Sequence, residues 1–386
     1  MQVAKYQTHR VNRMFRFFLI LSLFMTSLLS FGQHKAEETA IEGAAVEANS
    51  HSDSHRDDGK FNAGETIMHH VMDAHEIHIG PLHIPLPIIL YDSEKGIVGP
   101  FSSSHLSHGE AYNGYIMEHE HIYNVDASGN KIVESTAEDG TQTFRHPLDV
   151  SMTKTVVGMF LAILIMLLMF TSVSRAYKKR ENQAPKGLQS ALEPLILFVR
   201  DEVAKPSIGK RYEKFLPYLL TIFFFIWISN MLGLIPFIGG FNITGNLTIA
   251  LVLALFTFII TSVNGNKDYW KHIYNTPGVP WWLKFPIPLM FIIEFIGFIS
   301  KPVVLTLRLF ANITAGHIII LAFVSLIFIF KDIFGAGAGY GVSVLSVAFS
   351  IFMFCIELLV AFLQAYVFTL LSAIYFGSAV EEHAHH

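Results

Sequence analysis

Five side chains able to hold a proton or a fixed charge stand in stretches otherwise built from Phe, Ile, Leu and Val: Glu294, Lys301, Arg308, His317 and Glu357. Asn230, Asn312 and Gln364 share those stretches. An arginine at bilayer depth costs at least ~2.5–3.5 kcal/mol on insertion scales, and its guanidinium is effectively never deprotonated. Snorkelling to the headgroups suits an arginine at a helix end, but Arg308 has apolar runs on both sides. The functional reading is a fixed cation on an ion pathway that awaits a carboxylate partner. His and Glu suit such a pathway, because their protonation changes near neutral pH when the surroundings shift them.

The spacing sorts these residues. Glu294, Lys301 and Arg308 follow one another by seven residues and Asn312 comes four later, so a helix puts all of them on one face. His317, nine residues beyond Arg308, falls about half a turn round and faces the other helices. Glu357 and Gln364 are again seven apart, on the last apolar segment. Antiparallel packing of that segment brings Gln364 toward Arg308 and Glu357 toward His317. Two polar zones then flank the fixed charge: Glu294 with Lys301 on the inner side, and His317, Glu357 and Asn230 on the outer. A permanent cation between two hydrated zones is a barrier to direct proton flow, so protons need a mobile carrier. Each residue also has a purely structural reading: a Glu294–Lys301 charge pair, a His317–Glu357 helix clamp, and Asn230 and Gln364 as hydrogen-bonding glue between helices.

The elements that must position these groups follow from composition. The chain has 386 residues, 52% hydrophobic and 15% charged, too apolar for disorder and poor in charge for a soluble protein. The net charge of −4 points to no nucleic-acid partner. The one cysteine, Cys355, rules out an intramolecular disulfide or a cysteine-based metal site. Nothing calls for a cofactor.

Residues 1–32 read as a signal peptide. Lys5, Arg10, Arg13 and Arg16 precede the apolar run Phe17–Phe31, and Ser30-Phe-Gly32 offers small residues for cleavage; an uncleaved first anchor is the alternative. Residues 33–148 form a polar, His-rich extracytoplasmic extension. It opens on a disordered-looking stretch, Glu37 to Lys60. Strand-like alternation follows at His75–Ile79, Leu82–Tyr91, Tyr112–Met117 and Lys131–Glu134, with turn signals at Ala127–Asn130 and Asp139-Gly140. Its histidines (His69, His70, His75, His78, His83, His105, His108, His119, His121) match no zinc spacing and read as solvated.

Residues 149–380 are the membrane region and 381–386 a cytoplasmic tail. Spans are expected at Ser151–Val173, Tyr212–Phe237, Leu247–Val263, Pro286–Phe330 and Val342–Tyr375. Lys154 snorkels at the outer end of the first. Arg175, Lys178, Lys179, Arg180 and Lys186 mark the far end of that span as cytoplasmic. Gly187–Ala204 is an amphipathic helix on the inner surface or against a partner. A helix of about 45 residues is roughly 65 Å long, twice the hydrocarbon thickness, so the last two segments must be tilted, curved or broken, with Pro288 and Pro302 as candidate bends. Lys331–Gly341 forms the outer turn between them. The fold class is mainly α: a polytopic membrane protein of about five helices, the last two long and tilted, with a small polar N-terminal extension.

Lys301-Pro-x5-Arg308-Leu-Phe-Ala-Asn312-x3-Gly316-His317, followed by Glu357-x6-Gln364-Ala-Tyr-Val-Phe, resembles subunit a of F-type ATP synthases. So do Pro185-Lys-Gly-Leu-Gln, Arg200-Asp-Glu-Val, Phe215-Leu-Pro-Tyr and Asn230-Met-Leu-Gly-Leu-Ile-Pro. The likeness covers about residues 148–380. It implies a proton-translocating stator subunit of the F0 sector in a bacterial inner membrane, lending two half-channels to a rotating c-ring and held by subunit b and the other F0F1 subunits. It does no covalent chemistry itself. On the same resemblance, Arg308 matches the arginine facing the ring carboxylate, and Asn312 and Gln364 match its polar neighbours. Asn230, His317 and Glu357 match the outer half-channel, and Glu294 the inner. Many bacterial relatives carry an acid and a histidine where this chain has His317 and Glu357, so the pair is exchanged here. The 33–148 extension departs from short family members. The rival, a proton-coupled secondary transporter, calls for internal symmetry between two halves, and none is evident. A metalloprotease or haem protein needs several histidines within the spans, where only His317 is available.

Overall fold

The computed structural model describes residues 62–381, apart from 65, 68–71, 80–81, 107–108, 119, 127, 137–141, 180–182, 236–239 and 275–288. The signal segment, Glu37–Lys60, the Asp139-Gly140 turn, Pro288 and the final histidines lie outside the described residues, as do His69, His70, His108 and His119.

The extension folds into short strands: β1 (Glu76–Ile79), β2 (Leu82–Pro85), β3 (Pro87–Asp92), β4 (Gly96–Ser102), β5 (Tyr115–Glu118), β6 (His121–Asn124), β7 (Val133–Thr136), β8 (Gln142–Phe144) and β9 (Leu148–Asp149). All named pairings are antiparallel, with β3 between β4 and β9. Alternation along β3 sends Ile88 and Leu90 into a small core with Leu106, Tyr115 and Ile122, as a period of two dictates. Asp92 is buried at the end of β3 because Tyr115 Oη and Asn124 Nδ2 donate to it at 3.0 and 2.7 Å, as a buried carboxylate requires. The expected strands are present in whole or part. β4, β6, β8 and β9 are additional.

The helices follow: α1 (Lys154–Lys179), α2 (Leu188–Phe198) running through a π-helical stretch (Val199–Ala204) into α3 (Lys205–Ile208), then α4 (Tyr212–Leu234), α5 (Leu247–Val263), α6 (Lys267–Tyr274), α7 (Leu289–Phe334) and α8 (Ala336–Val380). Among the described residues four helical stretches are long and apolar enough to cross a membrane, taking Leu188–Leu234 as one. A fifth is added if α5 and α6, bent by 105° to each other, make one span. The chain is thus a multi-pass membrane protein. α4 is the hub: Leu219, Phe223, Phe224 and Ile226 are fully buried, and Phe215 stacks on Phe376 of α8 at 4.8 Å. Asn246 caps α5, its side-chain oxygen accepting from Thr248 N and Ile249 N at 2.9 and 3.3 Å.

Several expectations need correction. Pro302 lies inside its helix, and α7 runs unbroken for 46 residues. The turn between the last two helices is not Lys331–Gly341 but the single residue Gly335, whose φ of +84° suits glycine, so α7 and α8 form one long hairpin. The first span extends to Lys179 rather than Val173. Lys154 does not snorkel; it is buried, close to the charges of Asp73 and Glu120. Nor is His75 solvated, although His83 and His105 are exposed. His75 is buried where the extension meets α1, with Nε2 2.8 Å from Asp149 Oδ2 and Nδ1 3.7 Å from Glu120 Oε2.

Burial alone would lower the His75 pKa, but the bonds to Asp149 and Glu120 outweigh it and raise the value to about 10. Burial would raise that of Asp149, but its bond to His75 and the imidazolium charge hold it below the usual carboxylate value. The histidine's contribution to docking is fully present below its free value near 6.5 and is lost as pH rises through about 10. That of Asp149 is lost as pH falls below the carboxylate range. Protease protection of the extension on membranes should therefore persist through neutral pH and fall away near pH 10; His75→Ala should remove that alkaline edge.

Candidate functional site

The α7–α8 hairpin runs antiparallel, and its register can be read from side-chain partners. His317 Nδ1 lies 2.6 Å from Glu357 Oε1. Five residues back along α7, Asn312 Nδ2 donates to Gln364 Oε1 at 2.9 Å. Further back, the Lys301 ammonium lies over the Tyr375 ring at 5.3 Å and over Tyr269 of α6 at 5.5 Å. Each step toward the start of α7 is matched by a step toward the end of α8.

The His317–Glu357 pair is deep: the glutamate side chain is 4% exposed and the histidine 20%. Its closeness depends on a glycine. A Cβ at Gly316 would sit 2.8 Å from Glu357 Oε1, so any larger residue would push the carboxylate away. α4 closes the other side. A Cβ at Gly233 would lie 3.9 Å from His317 Cε1 and 3.0 Å from the Phe241 carbonyl oxygen. One turn earlier on α4, Asn230 is buried, donating through Nδ2 to Ala361 O at 3.1 Å. Its Oδ1 accepts from the Thr244 hydroxyl. Ala361 is one helical turn past Glu357, so Asn230, His317 and Glu357 gather where α4, α7 and α8 meet. This cluster of one imidazole, one carboxylate and one amide can accept, hold and pass a proton.

Arg308 stands apart on the exposed face of α7, beside exposed Val304 and Leu307, while Leu305 and Leu309 are buried on the adjoining side of the helix. None of the ion pairs among the described residues includes it. Gln364 meets Asn312, one turn along α7 from Arg308. The Glu294–Lys301 group is also rearranged. Glu294 Oε1 is 3.9 Å from His272 Nδ1 of α6, while Lys301 takes its two aromatic faces, a favourable setting for an ammonium. Beside Lys301 lies a small, partly open pocket with room for about one water, lined by Thr257, Thr261, Tyr269, Leu305 and Tyr375 among others.

Sequence reasoning missed Thr244, in the turn before α5, Tyr269 and His272 on the short α6, and Tyr375 on α8. Gly233 and Gly316 were within reach. One lies three residues from Asn230 on the same helical face, and the other adjoins His317, where a residue without a side chain leaves room for a neighbour.

The family model described as ATP synthase A chain matches residues 156–377. A second model, a domain of unknown function (DUF8433), matches residues 66–150. The chain is 38% identical over 405 aligned positions to an ATP synthase subunit a of Chlorobium phaeobacteroides strain BS1, covering 99% of this chain and 98% of the relative. It is 42% identical to the protein of the same name from C. phaeobacteroides strain DSM 266, over 72% of this chain and 79% of the relative. The ATP synthase subunit a of Anaeromyxobacter sp. strain Fw109-5 is 33% identical over 90% and 76%.

The site geometry makes one direct forecast. A Cβ at Gly316 would come within 3.2 Å of Glu357 Cγ, which places the two Cβ positions near disulfide range. With Cys355→Ser as background, the pair Gly316→Cys and Glu357→Cys should cross-link on mild oxidation in native membranes. The check is retention of one linked fragment after proteolysis between α7 and α8, and loss of linkage on reduction.

Proposed function

The chain belongs to the ATP synthase subunit a family, a membrane component of the F-type complex, and on that premise we propose how its own residues move protons. The chain is the proton-translocating stator subunit of the F0 sector. In our reading it performs no covalent chemistry. Its partners are a ring of c subunits against the Arg308 face of α7, the stator subunit b, and the surrounding lipid.

Protons enter from the outer side through the Asn230, His317 and Glu357 cluster and neutralise a ring carboxylate. A neutral carboxyl can turn into lipid cheaply and a charged one cannot. After a rotation the carboxyl meets the fixed charge of Arg308, which favours its ionised form. The proton then leaves on the inner side, past Glu294 and the cavity beside Lys301. Asn312, exposed one turn along α7 from Arg308, is held by Gln364, which is buried behind it. Arg308 blocks the direct route between the two sides. A membrane potential of 100 mV supplies ~2.3 kcal/mol per charge moved, enough over several protons to drive rotation.

The observation that carries this reading is the separation of roles along α7. One proton-active pair is buried against α4 and α8, and one permanent cation is exposed on the other face. The orientation we propose puts the extension outside a bacterial inner membrane and the C-terminus in the cytoplasm, supported by Arg175, Lys178 and Lys179 at the end of α1. We divide the chain into a signal segment, 1–32, an extension, 33–148, a membrane domain, 149–380, and a tail, 381–386. The separate family matches to 66–150 and 156–377 support the boundary between extension and membrane domain.

ATP-driven acidification of inverted membrane vesicles tests the reading. At matched assembly, Arg308→Ala should abolish pumping while ATP hydrolysis by the detached head persists; surviving pumping would remove Arg308 as the gate. A second test concerns the buried pair. His317→Ala and Glu357→Gln should each lower pumping strongly, whereas exchanging the two, His317→Glu with Glu357→His, should recover much of it. A swap no better than the single variants would sink the idea that the two act as one proton-handling unit.

A further inference from the structure

The extension is built into the start of the membrane domain. A helix leaves its first N–H groups without intrahelical partners. At α1 the extension supplies two of the missing acceptors: Lys154 N donates to Ala74 O at 2.8 Å and Thr155 N to Asp73 Oδ1 at 3.0 Å. The carboxylate of Asp73 also sits where a helix N-terminus favours negative charge. His75, two residues on, is clamped by Asp149 and Glu120, its own backbone N–H donating to Glu120 Oε2 at 3.3 Å. Buried charges persist only when paired and hydrogen-bonded. Asp73, His75, Glu120, Asp149 and Lys154 therefore form one interdependent junction. Ile77 and Leu86 of the extension share a continuous buried core with Val156 and Met159 of α1 and with Phe241.

From α1 the contacts lead to the site. Gly158 of α1 makes room for the Phe241 ring: a Cβ there would lie 2.8–2.9 Å from three of its atoms. Phe241 opens a buried turn, Ile243 N donating to Phe241 O at 2.9 Å. Its carbonyl oxygen also covers Gly233, next to His317. The following residue but two, Thr244, donates to Asn230 Oδ1. This turn thus touches α1 on one side and the proton-handling cluster on the other.

We propose that the β-rich extension is a positioning module for the outer proton inlet: Asp73 and His75 fix the start of α1, and α1, through Gly158 and Phe241, holds Thr244 against Asn230. This rests on the reading of Asn230, His317 and Glu357 as that inlet. Asp73 and His75 are positioning residues and touch no translocated proton. Their effect reaches the flux through the geometry of the 241–246 turn.

The test uses the whole complex in proteoliposomes. ATP synthesis at fixed membrane potential is followed as the pH of the outer face is varied, with rates expressed per assembled complex. A misplacement of about 1 Å can cost on the order of a hundredfold in rate, so a loosened turn should lower the rate about tenfold and shift the outer-pH profile. Asp73→Ala, which removes the Thr155 acceptor, should show both effects. Asp73→Asn, which keeps a side-chain oxygen there, should restore wild-type behaviour. If Asp73→Ala complexes do not assemble, Asp149→Asn, which keeps the shape of the clamp and removes its charge, is read in the same way. A wild-type rate and pH profile per complex, with only the amount of complex reduced, would overturn the positioning role and leave a purely structural one. Asn230→Leu separates the two levels. If it lowers the rate while the Asp73 and Asp149 variants do not, only the extension inference falls; if it leaves the rate unchanged, the inlet reading falls as well.

Discussion

A guanidinium that cannot give up its proton, carried on the exposed side of a helix otherwise clothed in Ile, Leu and Val, constrains everything packed behind it. Arg308 is held in place by Leu305 and Leu309 on the buried side of α7, and its charge needs an answer from beyond this chain. The polar groups of the hairpin answer one another instead. Asn312 meets Gln364, His317 meets Glu357, and Lys301 lies over Tyr269 and Tyr375. That leaves the arginine as the fixed cation on the outward surface, which is where a partner's carboxylate can reach it.

The interior follows one rule at two depths. In the membrane region, Glu357 is buried against His317 and Asn230 against Thr244 and a backbone carbonyl. In the extension, Asp92 is buried under Tyr115 and Asn124, and His75 between Asp149 and Glu120. In each case the cost of taking a polar group from water is offset by a specific partner. Glycines make the approach possible: Gly316 under the Glu357 carboxylate and Gly158 under the Phe241 ring. These small residues are as much part of the site as the groups that titrate.

Much of this was legible in the sequence because hydrocarbon is an exacting solvent. Apolar runs of the right length announced α1, α4, α5 and the hairpin, and α5 falls on Leu247–Val263 as expected. Antiparallel packing of the last two segments brought Glu357 to His317 as expected. What stayed hidden depends on register and on loops. Nothing in the spacing says whether Gln364 meets Arg308 or Asn312, since one turn of sliding satisfies both. Thr244 and His272 come to the site through turns whose paths no periodicity records. His75 looked like any other histidine of a polar segment; only its burial against Asp149 sets it apart. Around Pro302 α7 stays continuous, with the Thr306 hydroxyl donating to the Pro302 carbonyl oxygen at 2.8 Å.

The single-residue turn at Gly335 has a geometric consequence. α7 and α8, of 46 and 45 residues, are each nearly 70 Å long at about 1.5 Å per residue. To keep such lengths within about 30 Å of hydrocarbon, the pair must lean by roughly 60° from the membrane normal. At that lean, a step along the helix is mostly a step sideways. Glu294 and His317, 23 residues apart, are separated by about 35 Å along the axis, and roughly 30 Å of that lies parallel to the membrane plane. In the proposed pathway, a proton handed in near His317 and out near Glu294 is carried laterally. A hairpin laid flat in this way converts a voltage across the membrane into a push along it.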